Sequence, residues 1–441
     1  MSFSSEQQLA YDKYVMGKNI FITGPGGSGK SYLIQKIVEH AKLQEKNYSI
    51  CAMTGCAAIL LNCGAKTLHS WSGIGLGKGN ESDIITRINL NKYKREKWKK
   101  TELLIVDEVS MMSMYLFNLL NMIGQRVRKN PRPFGGIQLV FCGDFYQLPP
   151  IGNVGNPEST CFCFESPFWR LTFSDQIQLK KVFRQSDEDF SKILNQIRQG
   201  KLFKSGYNKL CECVKKKIDN ESSVKPTFLF PTKRQVEFIN KENMKKLDTE
   251  ERKFGYKIAQ NLQNFEGNDM NKRPTDEQKN MEIKYILQNS LFDEEVTLKV
   301  GSQVMCIANI DMDNGICNGS QGVITEFTSD PETGDCLPTV EFLNGIKMKI
   351  PYKTWISERV AGVGVMQIPL ILSWAVTIHK SQGATLDLVQ IDAGSDIFEC
   401  GQTYVALSRV KTLDGLYLTS FNPQKIKVNK KVKEYYKSLD E

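Results

Sequence analysis

The stretch Gly24-Pro25-Gly26-Gly27-Ser28-Gly29-Lys30-Ser31 constrains the fold more than any other part of this chain. Its spacing, Gly-x-x-x-x-Gly-Lys-Ser, works where a strand runs straight into a helix, because glycines wrap the backbone round a polyphosphate and the helix N-terminus points at it. The flanks supply both elements. Asn19-Ile20-Phe21-Ile22-Thr23 is a short apolar run of the kind buried in a parallel sheet, and Tyr32-Leu33-Ile34-Gln35-Lys36-Ile37-Val38 has helical periodicity. In that setting Gly24, Pro25, Gly26, Gly27, Ser28 and Gly29 form a phosphate cradle, Lys30 reaches the β/γ oxygens, and Ser31 ligates magnesium. The reading is nucleotide binding on an α/β scaffold.

A second element gives the nucleotide a chemistry. The apolar run Leu103-Leu104-Ile105-Val106 ends in Asp107-Glu108, the Walker B arrangement of a carboxylate at the end of a core strand. Asp107 would hold magnesium, and Glu108 would orient and deprotonate the attacking water, since phosphoryl transfer needs positioning and charge neutralisation more than covalent chemistry. Together the two motifs predict magnesium-dependent hydrolysis of a nucleoside triphosphate. Gly143-Asp144-Phe145-Tyr146-Gln147-Leu148-Pro149-Pro150 follows another apolar strand. At the carboxyl end of that strand Gln147 would lie at the rim of the ligand crevice of an open α/β sheet. It either senses the γ-phosphate or is an exposed amide on a proline-stiffened turn.

The bulk numbers set limits. A chain of 441 residues has a length prior of about three domains, and no apolar run approaches the roughly 20 residues of a membrane span. The N-terminus has neither a basic nor an apolar leader region, so an intracellular protein without a secretory signal is expected. A formal charge of +9 leans toward a polyanionic partner. The twelve cysteines include no Cys-x-x-Cys pair and there are three histidines, which argues against zinc and for a reducing compartment.

Along the chain, strands are expected at Ile20–Thr23, Ser49–Met53, Leu103–Val106 and Ile137–Phe141. A second set is expected at Thr227–Phe230, Leu370–Leu372, Leu388–Ile391 and Leu416–Leu418. Alternation with helical segments makes each set a parallel α/β unit. Residues 245–295 are polar with weak periodicity and are expected to be irregular or partly mobile. Residues 298–352 look like a small β module, with Asn344-Gly345 signalling a two-residue hairpin.

Further segments, in order, resemble the Pif-one DNA helicases of superfamily one, subgroup B. Phe3-Ser4-Ser5-Glu6-Gln7 looks like the adenine-reading Q motif. Thr54-Gly55-Cys56-Ala57-Ala58 and Thr67-Leu68-His69-Ser70-Trp71 are similar to the first DNA-contacting motif, and Val106–Met111 and Phe134–Pro150 are closer still. Leu179-Lys180-Lys181-Val182-Phe183-Arg184-Gln185 resembles motif IV, Trp374–Gly383 motif V, and Gly401–Val410 motif VI. The resemblance runs from about residue 3 to 437. It implies an α/β fold of two RecA-like P-loop cores with parallel sheets, a small wedge insert in the first and an SH3-like β insert in the second. The expected ranges are 1–170 for core one with a basic insert at about 74–100, 171–295 and 366–441 for core two, and 296–365 for the β insert.

The implied activity is ATP-dependent 5′→3′ translocation on single-stranded DNA and unwinding of the duplex ahead, with ATP and magnesium in the cleft between the cores. Gln7 and Gly383 join the P-loop in holding nucleotide. Lys30, Asp107, Glu108 and Gln147 act with Arg184 and Arg409, two arginines expected to reach the γ-phosphate from the second core. Thr54, Gly55, His69, Trp71, Thr232, Lys233, His379, Lys380 and Ser381 are the implied DNA contacts. Partners would be single-stranded and forked duplex DNA, with G-quadruplex and RNA–DNA hybrid as further candidates, no membrane, and a monomeric state. The basic run Asn91–Lys100 is either a phosphate-binding junction element or a solvated helix face, and Lys425–Lys437 reads as a docked terminal element. An RNA helicase, a small-molecule kinase and an ATP-driven DNA clamp are the competing classes.

Overall fold

The computed structural model describes the chain except for residues 1–2, 62, 76–79, 153–155, 185–186, 219–222, 260–274, 332–333, 358–359, 361, 379, 382–383, 395–396, 398 and 441. Two compact units result. The first comprises Met1–Lys204, Phe398–Ser408 and Pro423–Glu441, the second Ser205–Ile397 and Arg409–Asn422.

The first unit is built on six strands, β1 (Ile20–Thr23), β2 (Tyr48–Ala52), β3 (Lys66–Thr67), β4 (Leu103–Asp107), β5 (Gln138–Gly143) and β6 (Asp175–Gln178). Their order is β3-β2-β4-β5-β1-β6, all pairs parallel. β1, β4 and β5 are buried along their whole length, which is why they read as unbroken apolar runs rather than alternating ones. Helices cover both faces. The long helix Met114–Arg128 starts at Ser113, whose hydroxyl accepts from the Leu116 amide, and its Phe117 joins Phe21, Phe141 and Trp169 in one aromatic-rich core. The other face is filled by Ile34, Ile37, Val38 and Ala41 of the helix Lys30–Leu43, against Ile20, Ile22 and Val140.

In the second unit a four-stranded parallel sheet runs in the order Ala375–Thr377, Thr227–Phe230, Val389–Ala393, Leu416–Phe421. A five-stranded antiparallel module is attached to it, in the order Lys347–Lys349, Cys336–Phe342, Gln321–Ser329, Gln303–Cys306, Leu370–Leu372. Among the described residues no helix is long and apolar enough to cross a membrane.

Several expectations shift. The boundary at 170 does not separate the units, because Asp175–Gln178 pairs in parallel with β1 as the sixth strand of the first sheet. Residues 171–204 and the terminal helix Lys430–Asp440 therefore belong to the first unit. Leu370–Leu372 is not in the parallel sheet but pairs antiparallel with Gln303–Cys306, and Ala375–Thr377 takes the parallel position. The stretch expected to be irregular contains strands Glu251–Gly255 and Lys257–Ala259 and the helix Asp276–Asn289. The hairpin at Asn344-Gly345 closes with an Ile346 carbonyl accepting from the Phe342 amide, so the loop has three residues, with Gly345 at φ +81°.

Candidate active site

The helix Lys30–Leu43 begins at the carboxyl end of β1, and its cap residue Gly29 sits at φ +82° with no side chain to occupy the first amides. Those amides are free to face an anion. Gly27, at φ +80°, has a second constraint. A Cβ placed there would lie 2.3 Å from the Cβ of Arg184, whose segment crosses the loop and is held by the Phe183 amide donating to the Gly27 carbonyl at 2.8 Å. The Gly26 amide donates to the Tyr404 hydroxyl at 2.8 Å. Lys30 Nζ donates to the carbonyls of Gly24 (2.8 Å) and Pro25 (3.0 Å). Burial lowers its pKa, against the pull of Asp144, Glu108 and Asp107. Ser28 Oγ is buried and has no hydrogen-bond partner among the described residues, while Ser31 is exposed on the first helical turn.

At the end of β4, Asp107 is 7% exposed, and its carboxyl is pushed up to about 7, first by burial and then by the charge of Glu108. The Glu108 amide donates to Asp107 Oδ1 at 2.8 Å. Glu108 itself is left-handed, φ +57° and ψ +39°, a conformation that costs a non-glycine residue about 1–3 kcal/mol and recurs at functional sites. That turn passes so close to β5 that a Cβ on Gly143 would meet the Val109 amide at 2.9 Å. Gln147, on the segment leaving β5, is 6% exposed, and its Oε1 is buried without a partner among the described residues.

Gln7 does two jobs. It closes a capping box on the helix Ser5–Val15, its Oε1 accepting from the Ser4 amide at 3.0 Å, and its Nε2 donates to the Gly29 carbonyl at 3.3 Å. The P-loop, the Walker B pair, Gln147 and Gln7 are thus positioned by one unit.

Arg184 departs from its expected place. It lies in the first unit with the P-loop, its Nη1 donating to the Ser408 carbonyl at 3.4 Å, and burial lowers its pKa against Tyr404 and Glu108. The reason is β6: the strand that carries the chain to Arg184 is sheet-bonded to β1. Arg409 is in the second unit, 2% exposed, with Nη1 facing the Ser381 carbonyl at 3.5 Å.

The implied DNA contacts divide. Thr54 is half-buried with Oγ1 accepting from the Ala57 amide at 3.2 Å, and Gly55 opens the helix Gly55–Leu60. His69 is half-buried, and burial lowers its pKa, which favours the neutral ring at pH 7. Trp71 is corrected: it is 2% exposed and packs on Trp98 with ring centroids 4.4 Å apart, so it has no face for a base. Thr232 and Lys233 are exposed. Lys380 Nζ donates to the Leu291 carbonyl at 3.3 Å. Ser381 is fully buried, its hydroxyl held by the Ile378 carbonyl at 2.9 Å, so its side chain is also not at the surface. His379 and Gly383 lie outside the described residues. The basic run forms the helix Lys92–Lys100, docked by Trp98, whose Nε1 donates to the Ser72 carbonyl at 3.0 Å.

Sequence reasoning missed the role of Phe183, Tyr404 and the pair Asp144–Arg198. The half-exposed Phe183 ring lies about one carbon contact from Gly29, with a built Cβ 3.5 Å from its edge, beside Gln7. Asp144 is bidentate to Arg198, Oδ2 accepting from Nε at 2.9 Å and Oδ1 from Nη2 at 2.8 Å, with both groups buried. No local spacing announces these contacts.

Residues 2–207 match the family model described as PIF1-like helicase, and residues 283–327 that of the DNA helicase Pif1 2B domain. The ATP-dependent DNA helicase PIF1 of Xenopus laevis is 34% identical over 438 residues, 99% of this chain and 64% of its own. The chain thus spans just under two thirds of the length of the curated relatives it matches. The crystal structure of Pif1 helicase from Candida albicans is 35% identical, covers both chains completely and superposes with a TM-score of 0.76. Pif1 helicase from Bacteroides in complex with ADP-AlF3 and ssDNA is 29% identical over 100% of this chain and 98% of that one, TM-score 0.65.

Proposed function

This chain belongs to the PIF1-like helicase family, with two RecA-like cores, and on that premise we propose that it is an ATP-dependent DNA helicase that moves 5′→3′ along single-stranded DNA and unwinds duplex. The observation that carries the proposal is the convergence of Lys30, Asp107, Glu108 and Arg184 around one P-loop at the carboxyl edge of one parallel sheet. The relative in complex with ADP-AlF3 and ssDNA supports both ligands.

Lys30 and the loop amides bind the polyphosphate. Its ammonium exchanges the Gly24 and Pro25 carbonyls for phosphate oxygens, and Ser28 Oγ gains an acceptor or donor it otherwise lacks. Gln7 and the Phe183 ring frame the adenine. Glu108 orients and deprotonates the attacking water, Gln147 faces the γ-phosphate, and Arg184 and Arg409 act on the charge that develops there. The donor set fits magnesium: a hydroxyl from Ser31 and a carboxylate from Asp107 are hard oxygen ligands that leave room for waters and substrate phosphates. Magnesium would supply charge neutralisation of the phosphates.

Thr54, Gly55, His69, Thr232, Lys233 and Lys380 are proposed to meet the DNA backbone, with His379 by resemblance. Single-stranded and forked DNA are the proposed partners, G-quadruplex and RNA–DNA hybrid are further substrates to test, and the working unit is proposed to be a monomer. Strand-stimulated ATPase tests the site. Lys30→Ala should abolish turnover and Arg184→Ala should lower it roughly 10³-fold, each with strand binding retained. Turnover by Lys30→Ala at the wild-type rate would remove the assignment.

A further inference from the structure

The terminal helix Lys430–Asp440 places two adjacent tyrosines in the core of the first unit, and they do different things. Tyr435 stays away from the P-loop: its hydroxyl accepts from Trp169 Nε1 at 3.1 Å and bonds the Gln176 side chain. Tyr436, 4% exposed, has its hydroxyl at the junction of two segments of the candidate site. It lies 2.5 Å from Thr23 Oγ1, accepts from the Phe145 amide at 3.1 Å, and donates to Asp144 Oδ1 at 3.2 Å. Thr23 is the residue before the P-loop, and Asp144 and Phe145 open the turn that ends in Gln147.

The surroundings leave this hydroxyl little freedom. Its ring stacks on Tyr146 at 4.5 Å and 18°, and the Arg198 guanidinium lies 4.5 Å from the Tyr146 ring and 5.1 Å from the Tyr436 ring. Arg198 in turn neutralises Asp144, which is 0% exposed. A chain Thr23 O–H to Tyr436 O–H to Asp144 carboxylate satisfies each donor once, and linked hydrogen bonds in a dry interior reinforce one another.

We propose that Tyr436 is a positioning residue for hydrolysis: its hydroxyl holds the P-loop strand and the Gln147 turn in one register, so the helix Lys430–Asp440 helps set the geometry at the γ-phosphate. The proposal rests on reading this crevice as an ATPase site. It predicts a loss in kcat rather than in nucleotide or strand affinity, because the hydroxyl touches segments that align the reaction and not the ligands.

The test compares Tyr436→Phe with Tyr435→Phe in the full chain. Both remove a buried hydroxyl from the same helix. Strand-stimulated ATPase would be measured against ATP concentration, alongside strand binding and thermal melting. Tyr436→Phe should lose roughly five- to tenfold in kcat, the rate equivalent of one buried hydrogen bond, with KM and strand binding within about twofold of wild type. Tyr435→Phe should keep the wild-type kcat. Thr23→Val combined with Tyr436→Phe should be no slower than the slower single variant, as expected for members of one chain. Equal losses from both tyrosines, or a wild-type kcat for Tyr436→Phe at any melting temperature, would overturn the proposal. Failure of the underlying reading looks different: wild-type turnover would then survive Lys30→Ala.

Discussion

Asp107 is a carboxylate that the fold holds at a cost. Its pKa of about 7 in the folded chain stands above the ordinary 3.8. Between those values the folded state binds more protons than the unfolded one, so stability falls as pH rises from about 4 to about 7 and stays reduced above. Asp107→Asn should therefore melt higher than wild type at pH about 8, the difference shrinking toward pH 4, while ATP turnover is lost at every pH. Thermal melts across that range check it, and identical melting at pH about 8 would contradict the shift. The residues of this site were legible in unequal degree. Lys30, Ser31, Asp107 and Glu108 announce themselves because phosphate chemistry demands those types at fixed spacing behind an apolar strand. Arg184 could be named but not placed. Its proximity to Gly27 depends on β6 pairing with β1, and nothing local to Val182-Phe183-Arg184 encodes that. Tyr404 on the Gly26 amide and Tyr436 on Asp144 were silent for the same reason.

The basic helix Lys92–Lys100 shows what an element adds to its residues. It is hydrophilic almost throughout, and its one buried side chain is Trp98, packed at a tilt against Trp71 and bonded to the Ser72 carbonyl. Lys94 Nζ adds a bond to the Gly73 carbonyl at 2.8 Å. The pair of tryptophans thus fixes the basic face to the helix that carries His69. Trp98→Ala should destabilise the protein by about 3–5 kcal/mol. It should also weaken strand binding, while strand-independent ATP turnover persists. Denaturant melts and fluorescence anisotropy read the two effects, and unchanged binding would separate this helix from DNA contact. Elsewhere, element type was easier to read than element partner. Leu370–Leu372 is a strand, as its apolar run suggests, but three apolar residues do not say which sheet they join. The helix Asp276–Asn289 was missed because its amphipathicity is weak, although Thr275 and Gln278 form a capping box that the sequence does display.

At the scale of the molecule, strands alternating with helical segments gave away two α/β units, most clearly in the first, where buried parallel strands are continuous apolar runs. The path of the chain between them was not visible. Residues 398–408 and 423–441 belong to the first unit, on either side of the second unit's Arg409–Asn422, and Val432, Tyr435 and Tyr436 lie in a core assembled mainly from residues before 174. Such contacts join segments hundreds of residues apart and leave no periodic trace. They make the helix Lys430–Asp440 part of the unit that carries the P-loop. The central claim, a DNA motor driven from this P-loop, is tested most directly by unwinding of one fluorescent duplex bearing either a 5′ or a 3′ single-stranded tail, with ATP and magnesium, beside Lys30→Ala. Strand separation from the 5′ tail alone, abolished by Lys30→Ala, is the predicted result. Separation that starts from the 3′ tail, or that survives Lys30→Ala, would contradict it.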